Sequence, residues 1–94
     1  MEHGHLVFRL HAIQRMFERR ITAEDVRHVL ATGEVIEDYP ADIPYPSRLI
    51  VGWRGGRPLH VVVAYNAGQD ETIVITAYEP DPRRWDATFR RRLA

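Results

Sequence analysis

The fold is decided by RLIVGWRGGRPLHVVVAY, residues 48–65, in which two apolar runs flank the dipeptide Gly55-Gly56. Two glycines between such runs predict a β-hairpin with a two-residue turn of the primed type. This turn fixes the register and places Val51 opposite His60. The second run is apolar at almost every position, which predicts a central strand with both faces covered. His60 is then a polar residue within an apolar strand.

Two helices are predicted before the hairpin. The first covers residues 11–20. Its apolar residues recur at the spacing of one helical face: Ile13, Met16 and Phe17. Thr22 is a favourable N-cap for the second helix, and Asp25 lies where a capping box has its acidic partner. Gly33 has the position of a C′ glycine, so the second helix is expected to end there.

The remaining segments complete an α+β pattern. Strands are predicted for residues 34–39 and 72–78, and residues 5–10 form either a short strand or an extended lead-in. Proline in the first turn favours a short last helix over residues 82–92. We predict a single domain over residues 1–94, with an N-terminal helical hairpin packed on a three- to four-stranded antiparallel sheet.

The composition limits the class of protein. The 94 residues include thirteen Arg, no Lys, thirteen Asp or Glu and no Cys, so the formal charge is zero. Without Cys there are no disulfides and no thiolate metal sites. No apolar run approaches the ~20 residues of a membrane helix, and the first residues lack the features of a signal peptide. We therefore expect a soluble, cytoplasmic protein.

Charge is unevenly distributed along the chain. Residues 21–47 have one Arg and six acidic residues, whereas residues 81–94 have five Arg and two Asp. The basic stretches could converge into one patch, and the planar Arg side chain is suited to phosphate. Codon bias is the simpler explanation for the absence of Lys itself.

The sequence resembles a known family of small bacterial domains. Residues 8–21, FRLHAIQRMFERRI, resemble the H-A-x-x-R-M-x-x-R-x-I opening of a family of unknown function. Residues 33–37, 59–62 and 76–80 extend the resemblance, which covers about residues 8 to 85. Those domains in turn resemble the RelE, BrnT and MqsR toxins of toxin–antitoxin systems. The resemblance implies a RelE-like α+β fold, a metal-independent ribonuclease site on the sheet and an antitoxin partner; such enzymes usually place Lys as well as Arg in the site.

Metal-free RNA cleavage needs a base, an acid and cations that stabilise the phosphate. His acts near neutral pH, Arg binds phosphate, and Tyr donates a hydrogen bond or stacks on a base. The predicted catalytic residues are His60, His11, Arg15 and Tyr78. The predicted substrate-binding residues are Arg19, Arg48 and Thr76. No metal site and no cofactor are predicted, because the usual motifs are absent.

Each candidate also has a structural interpretation. His60 can be a buried histidine satisfied by a neighbour, and His11 can help to cap the first helix. Arg15 and Arg19 can pair with acidic residues, and Arg48 can be a solvated strand-end residue. Tyr78 and Thr76 can simply be β-formers that pack the sheet. Glu79 is a further candidate base, although a residue before proline is more often on the surface.

The leading functional hypothesis is a toxin of a toxin–antitoxin system that acts as a metal-independent endoribonuclease. The alternative is a non-catalytic protein-binding module of the same fold. The expected partners are RNA, free or on the ribosome, and an antitoxin protein. An exposed sheet edge could also pair two copies of the chain. No membrane partner is expected.

Overall fold

A five-stranded sheet organises the protein, as seen in a computed structural model in which residues 5–94 are described. The elements in chain order are β1 (His5–Phe8), α1 (Leu10–Glu18), α2 (Ala23–Thr32), β2 (Glu34–Tyr39), β3 (Ser47–Arg54), β4 (Arg57–Asn66) and β5 (Glu71–Tyr78). Their spatial order in the sheet is β1-β5-β4-β3-β2. All neighbours are antiparallel except β1, which runs parallel to β5. No helix in the described part of the chain is long and apolar enough to cross a membrane.

The predicted fold class is therefore wrong. The sheet is mixed and has five strands, not three or four antiparallel ones, because residues 5–8 pair with residues 71–74. The helices do not form a hairpin that packs as one unit, since α1 lies against β5 and α2 lies mainly against β3. The pairing of β1 joins segments more than 60 residues apart in sequence, and local periodicity carries no signal of such a pairing.

The central hairpin confirms the register predicted from its glycine turn. Val51 lies opposite His60, and Gly55 has a φ of 61°, a conformation that glycine adopts without steric cost. On the other side of β4, His60 lies opposite Tyr78. The register of this strand pair shifts between Val62 and Val63, where β4 and β5 have an irregularity.

The capping box of α2 is confirmed. The Thr22 hydroxyl accepts a hydrogen bond from the Asp25 amide, and the Asp25 carboxylate accepts one from the Thr22 amide. Gly33 is not a left-handed C′ glycine, because its φ is −81°. It is required for space instead: a Cβ atom there would lie 2.5 Å from the Val29 carbonyl oxygen and 2.6 Å from that of Val51.

The prediction of which residues of the first helix face the core is only partly correct. α1 buries Ala12 and Met16 against the sheet, whereas Ile13 and Phe17 are exposed. The two faces of a short helix cannot both contact the sheet, and Ala12 permits the closer approach. The helix-side core consists of residues from α1, α2, the connection between these helices and strands β3 to β5: Ala12, Met16, Ile21, Val26, Val29, Leu30, Ile50, Leu59, Val61, Val63, Val74 and Ala77.

The opposite face of the sheet carries residues 81–94, which we call the C-terminal strap. The predicted helix over residues 82–92 is wrong, because the strap forms turns and one isolated bridge between Trp85 and Arg92. Asp86 explains the turns: its Oδ1 accepts hydrogen bonds from the amides of Thr88 and Arg90 in place of helical carbonyls. Phe89 is also in the left-handed region, with a φ of 58°.

Candidate functional site

An open pocket of about 620 Å³ lies where the end of α1, the end of β5 and the strap meet. Its lining residues are Arg19, Tyr78, Glu79, Asp81, Arg84, Trp85 and Arg92. Three guanidinium groups, two carboxylates and two aromatic rings therefore surround one space. This volume is in the range of ligand pockets in proteins.

Arg19 is the residue that directly follows α1, and its side chain lines the pocket. Its Nη1 donates hydrogen bonds to the Ala77 carbonyl oxygen at 2.9 Å and to the Thr76 hydroxyl at 3.4 Å. Both acceptors are neutral, and no carboxylate of the described residues forms an ion pair with Arg19. Its side chain is thus held in place while its charge remains available to an anion.

Arg57, at the start of β4, contacts both the backbone that follows α1 and Glu79 at the pocket. Its two Nη atoms donate hydrogen bonds to the carbonyl oxygens of Arg19 and Arg20, at 2.7 and 2.8 Å. Its Nε lies 3.1 Å from Glu79 Oε2. Arg57 therefore stabilises the C-terminal end of α1 and joins it to Glu79 on the pocket rim.

Arg92 forms the strap side of the pocket. Its Nε and Nη2 bind the carboxylate of Glu37 in a bidentate pair, at 2.8 and 3.1 Å. The hydrogen bond from Arg92 holds the pKa of the Glu37 carboxyl below its usual range. The Arg92 guanidinium also lies 4.7 Å from the centre of the Trp85 ring. Arg84 is less constrained, since its nearest carboxylate oxygen, on Asp81, is 3.9 Å away.

His60 is completely buried beneath the strap. Its Nε2 donates a hydrogen bond to the Phe89 carbonyl oxygen at 2.8 Å, and its Nδ1 has no partner. The rings of Trp85 and Tyr78 meet it edge to face, at centroid distances of 4.5 and 5.4 Å. Burial lowers the pKa of His60, so the neutral ring is favoured. This arrangement anchors the strap and leaves no space for substrate at the imidazole.

Tyr78 is half-buried and reaches the pocket beside Trp85. Burial is the main cause of its raised pKa, so its hydroxyl stays protonated at neutral pH. That hydroxyl has no hydrogen-bond partner among residues 5–94 and is free to donate to a ligand. Thr76 accepts a hydrogen bond from Arg19 but does not line the pocket itself.

The other predicted site residues lie elsewhere. His11 is exposed on α1, and Arg15 pairs with Glu18 at 3.5 Å on the same helix. Arg48 pairs with Asp38 at 3.5 Å across β3 and β2. None of these three residues lines the pocket. The structure thus brings together Arg19, Thr76 and Tyr78 of the predicted set, with His60 behind them.

Residues 8–79 match the family described as Domain of unknown function (DUF4258). The chain belongs to this family. No curated protein and no solved structure is significantly similar to it. The resemblance read from the sequence is thereby confirmed for the unknown-function family, whereas the likeness to toxins stays a hypothesis. In this DUF4258 domain the matched residues include Arg19, Tyr78 and Glu79, and the match ends before the strap.

The strap residues of the DUF4258 pocket were missed by the sequence analysis. Arg84, Trp85 and Arg92 fall within residues 82–92, for which a helix was predicted. The excess of Arg in residues 81–94 was the signal that could have drawn attention to them. Among the residues that the structure describes, no three His, Asp or Glu side chains are grouped as metal ligands would be.

Proposed function

We propose that the pocket binds single-stranded RNA and cleaves it as a metal-independent endoribonuclease. The observation that supports this most directly is the convergence of Arg19, Arg84 and Arg92 around Tyr78 and Trp85. Guanidinium groups bind phosphate, and aromatic rings stack on unpaired bases. This assignment moves the site away from His11, Arg15 and Arg48 and onto the strap side of the sheet.

Arg19 and Arg84 are assigned to the phosphate. Arg19 is held by neutral acceptors, and Arg84 is mostly exposed with only a distant carboxylate contact. Arg92 contributes less, because its charge is offset by Glu37. We assign Arg92 the role of positioning the Trp85 ring, which its guanidinium contacts, rather than that of binding the reacting phosphate.

The chemistry requires proton transfers at two oxygens. A base takes the proton of a ribose 2′-hydroxyl, the 2′-oxygen attacks the adjacent phosphorus, and the bond to the 5′-oxygen breaks as that oxygen receives a proton. Glu79 is the candidate base, because its carboxylate lines the pocket and is half-exposed. Tyr78 is assigned as the acid, because its protonated hydroxyl reaches the pocket and can give its proton to the leaving 5′-oxygen.

The test is cleavage of labelled single-stranded RNA in excess EDTA by the purified protein. We expect products with 2′,3′-cyclic phosphate ends, at least a tenfold loss of rate in Arg19→Gln and Arg84→Gln, and about a hundredfold loss in Glu79→Gln. Arg48→Gln is the matched control, because it removes a cation outside the pocket. A rate lost in Arg48→Gln but retained in Arg19→Gln would refute the assignment.

Two further readouts separate cleavage from binding. RNA affinity that falls steeply as the salt concentration rises indicates phosphate contacts even if no bond is broken. At low salt, Arg19→Gln should bind RNA more weakly than the wild type does. The toxin hypothesis predicts growth arrest on expression that Glu79→Gln relieves. Absence of both cleavage and salt-dependent RNA binding would favour the alternative, a non-catalytic protein-binding module.

A further inference from the structure

Helix α1 presents an apolar face that nothing in the described chain covers. Leu10, Ile13 and Phe17 are 70, 49 and 86% exposed. They recur at i, i+3 and i+7, so they share one face of the helix, whereas Ala12 and Met16 face the sheet. Single exposed apolar residues are ordinary, but three large ones on one helical face form a contiguous surface typical of an interaction site.

The ends of this face are basic. Arg9 precedes Leu10 and joins α1 through the hydrogen bond from the Ile13 amide to its carbonyl oxygen. Arg20 follows the helix, and its amide donates to the carbonyl oxygen of Phe17. Both side chains are exposed, and neither forms an ion pair within the described residues. We call this surface of Leu10, Ile13 and Phe17, with Arg9 and Arg20, the α1 patch.

The charges decide between two kinds of occupant. A second copy in a two-fold dimer would present the same patch, so that arginines at the ends of one helix would meet arginines of the other. Like charges brought together at an interface oppose association. A partner with Asp or Glu beside its apolar residues would instead pair with both basic ends and bury the apolar centre.

We propose that the α1 patch docks a short amphipathic helical segment of another protein, with acidic residues flanking an apolar face. This is the helix-against-helix mode of recognition, in which a few large side chains supply most of the affinity. The pocket contains Arg19 but none of the patch residues, so this proposal does not rest on the proposed RNA cleavage.

The test uses two synthetic peptides of about 18 residues with identical apolar positions at i, i+3 and i+7. One peptide carries Glu at the flanking positions and the other carries Lys. Fluorescence anisotropy measures the binding of each to the intact protein at about 50 and about 300 mM salt. We expect the Glu peptide to bind at least tenfold more tightly than the Lys peptide, with a preference that weakens in the higher salt.

Variants then locate the binding surface. Phe17→Ser should weaken the Glu peptide at least tenfold without changing the thermal midpoint, because the ring makes few contacts in the free protein. Ile43→Ser is the matched control, since Ile43 is 92% exposed but lies in the loop between β2 and β3. It should bind like the wild type.

Several results would overturn the proposal. Equal binding of the two peptides, no binding of the Glu peptide, or full binding by Phe17→Ser would each refute it. A dimer in light scattering that Phe17→Ser converts to a monomer would show that a second copy covers the patch. Sedimentation with phosphatidylglycerol vesicles, lost in the same variant, would show that the patch binds lipid.

Discussion

The two faces of the sheet are held in different ways. The helix side is an aliphatic core in which Val29, Leu59 and Val61 are completely buried. The strap side depends on directed contacts: His60 binds a backbone carbonyl, and Arg92 binds Glu37. Apolar burial is non-directional, whereas each polar contact needs a partner at a defined position. Periodicity in the sequence therefore reveals the first kind of surface and misses the second.

The largest expected difference comes from truncating one large side chain on each face. Leu59→Ala should lower the free energy of unfolding by about 3 kcal/mol, because the closed core cannot collapse around the cavity. Trp85→Ala should cost less, about 2 kcal/mol, since the strap can settle onto the sheet. Urea denaturation measures both values.

Amide exchange sharpens this comparison. Leu59→Ala should speed exchange throughout β3, β4 and β5, whereas Trp85→Ala should act first on the strap amides of Asp86, Phe89 and Leu93. Equal acceleration of both groups of amides in both variants would mean that the two faces unfold as one unit.

A second prediction concerns the buried imidazole. The folded pKa of His60 is lowered, so below about pH 6.5 the unfolded chain binds a proton that the native protein rejects. The stabilisation is complete above the unfolded pKa and is lost as the pH falls towards the folded pKa. We expect the free energy of unfolding to fall as the pH is lowered from 7 to 5.5, with a slope of at most about 1.4 kcal/mol per pH unit, the limit for one proton.

His60→Gln should remove most of that pH dependence and cost about 2 kcal/mol at pH 7 through lost packing and hydrogen bonding. His11→Gln is the matched control, because it also replaces an imidazole but lies on the exposed side of α1; the pH dependence assigned to His60 should persist in this variant. A slope that survives in His60→Gln would show that another group causes it. The contribution of carboxyl groups to the pH dependence can be separated from that of His60, because ordinary carboxyl groups titrate at about pH 4.

The smallest expected effect comes from the ion pair between the strap and β2. Glu37→Gln should cost about 0.5 kcal/mol, because Arg92 is 61% exposed and water screens the pair. The difference from wild type should disappear in high salt. Asp38→Asn is the control, since its partner Arg48 does not touch the strap. A salt-independent loss would contradict an electrostatic role for Glu37.

Local signals predicted much of this protein and little of its site. The turn at Gly55 and the capping box at Thr22 are short-range features, and both are confirmed. Arg19 and Tyr78 were predicted as site residues from the chemistry of their side chains, and both line the pocket. Arg84 could not be placed beside them, because that requires knowing how the strap crosses the sheet. The exposed position of Phe17 was missed because helical periodicity does not say which neighbour an apolar face meets.

By itself the sequence determined the hairpin register, the start of α2 and the apolar core strands, because each depends on residues only a few positions apart. Only the tertiary structure decided that β1 pairs parallel with β5, that the strap covers His60, and that none of the residues 5–94 covers Leu10, Ile13 and Phe17 of α1. The first two outcomes join segments far apart in the chain, and the third depends on which elements pack against α1. Such arrangements depend on many contacts between distant residues, and a local sequence pattern gives no information about those contacts.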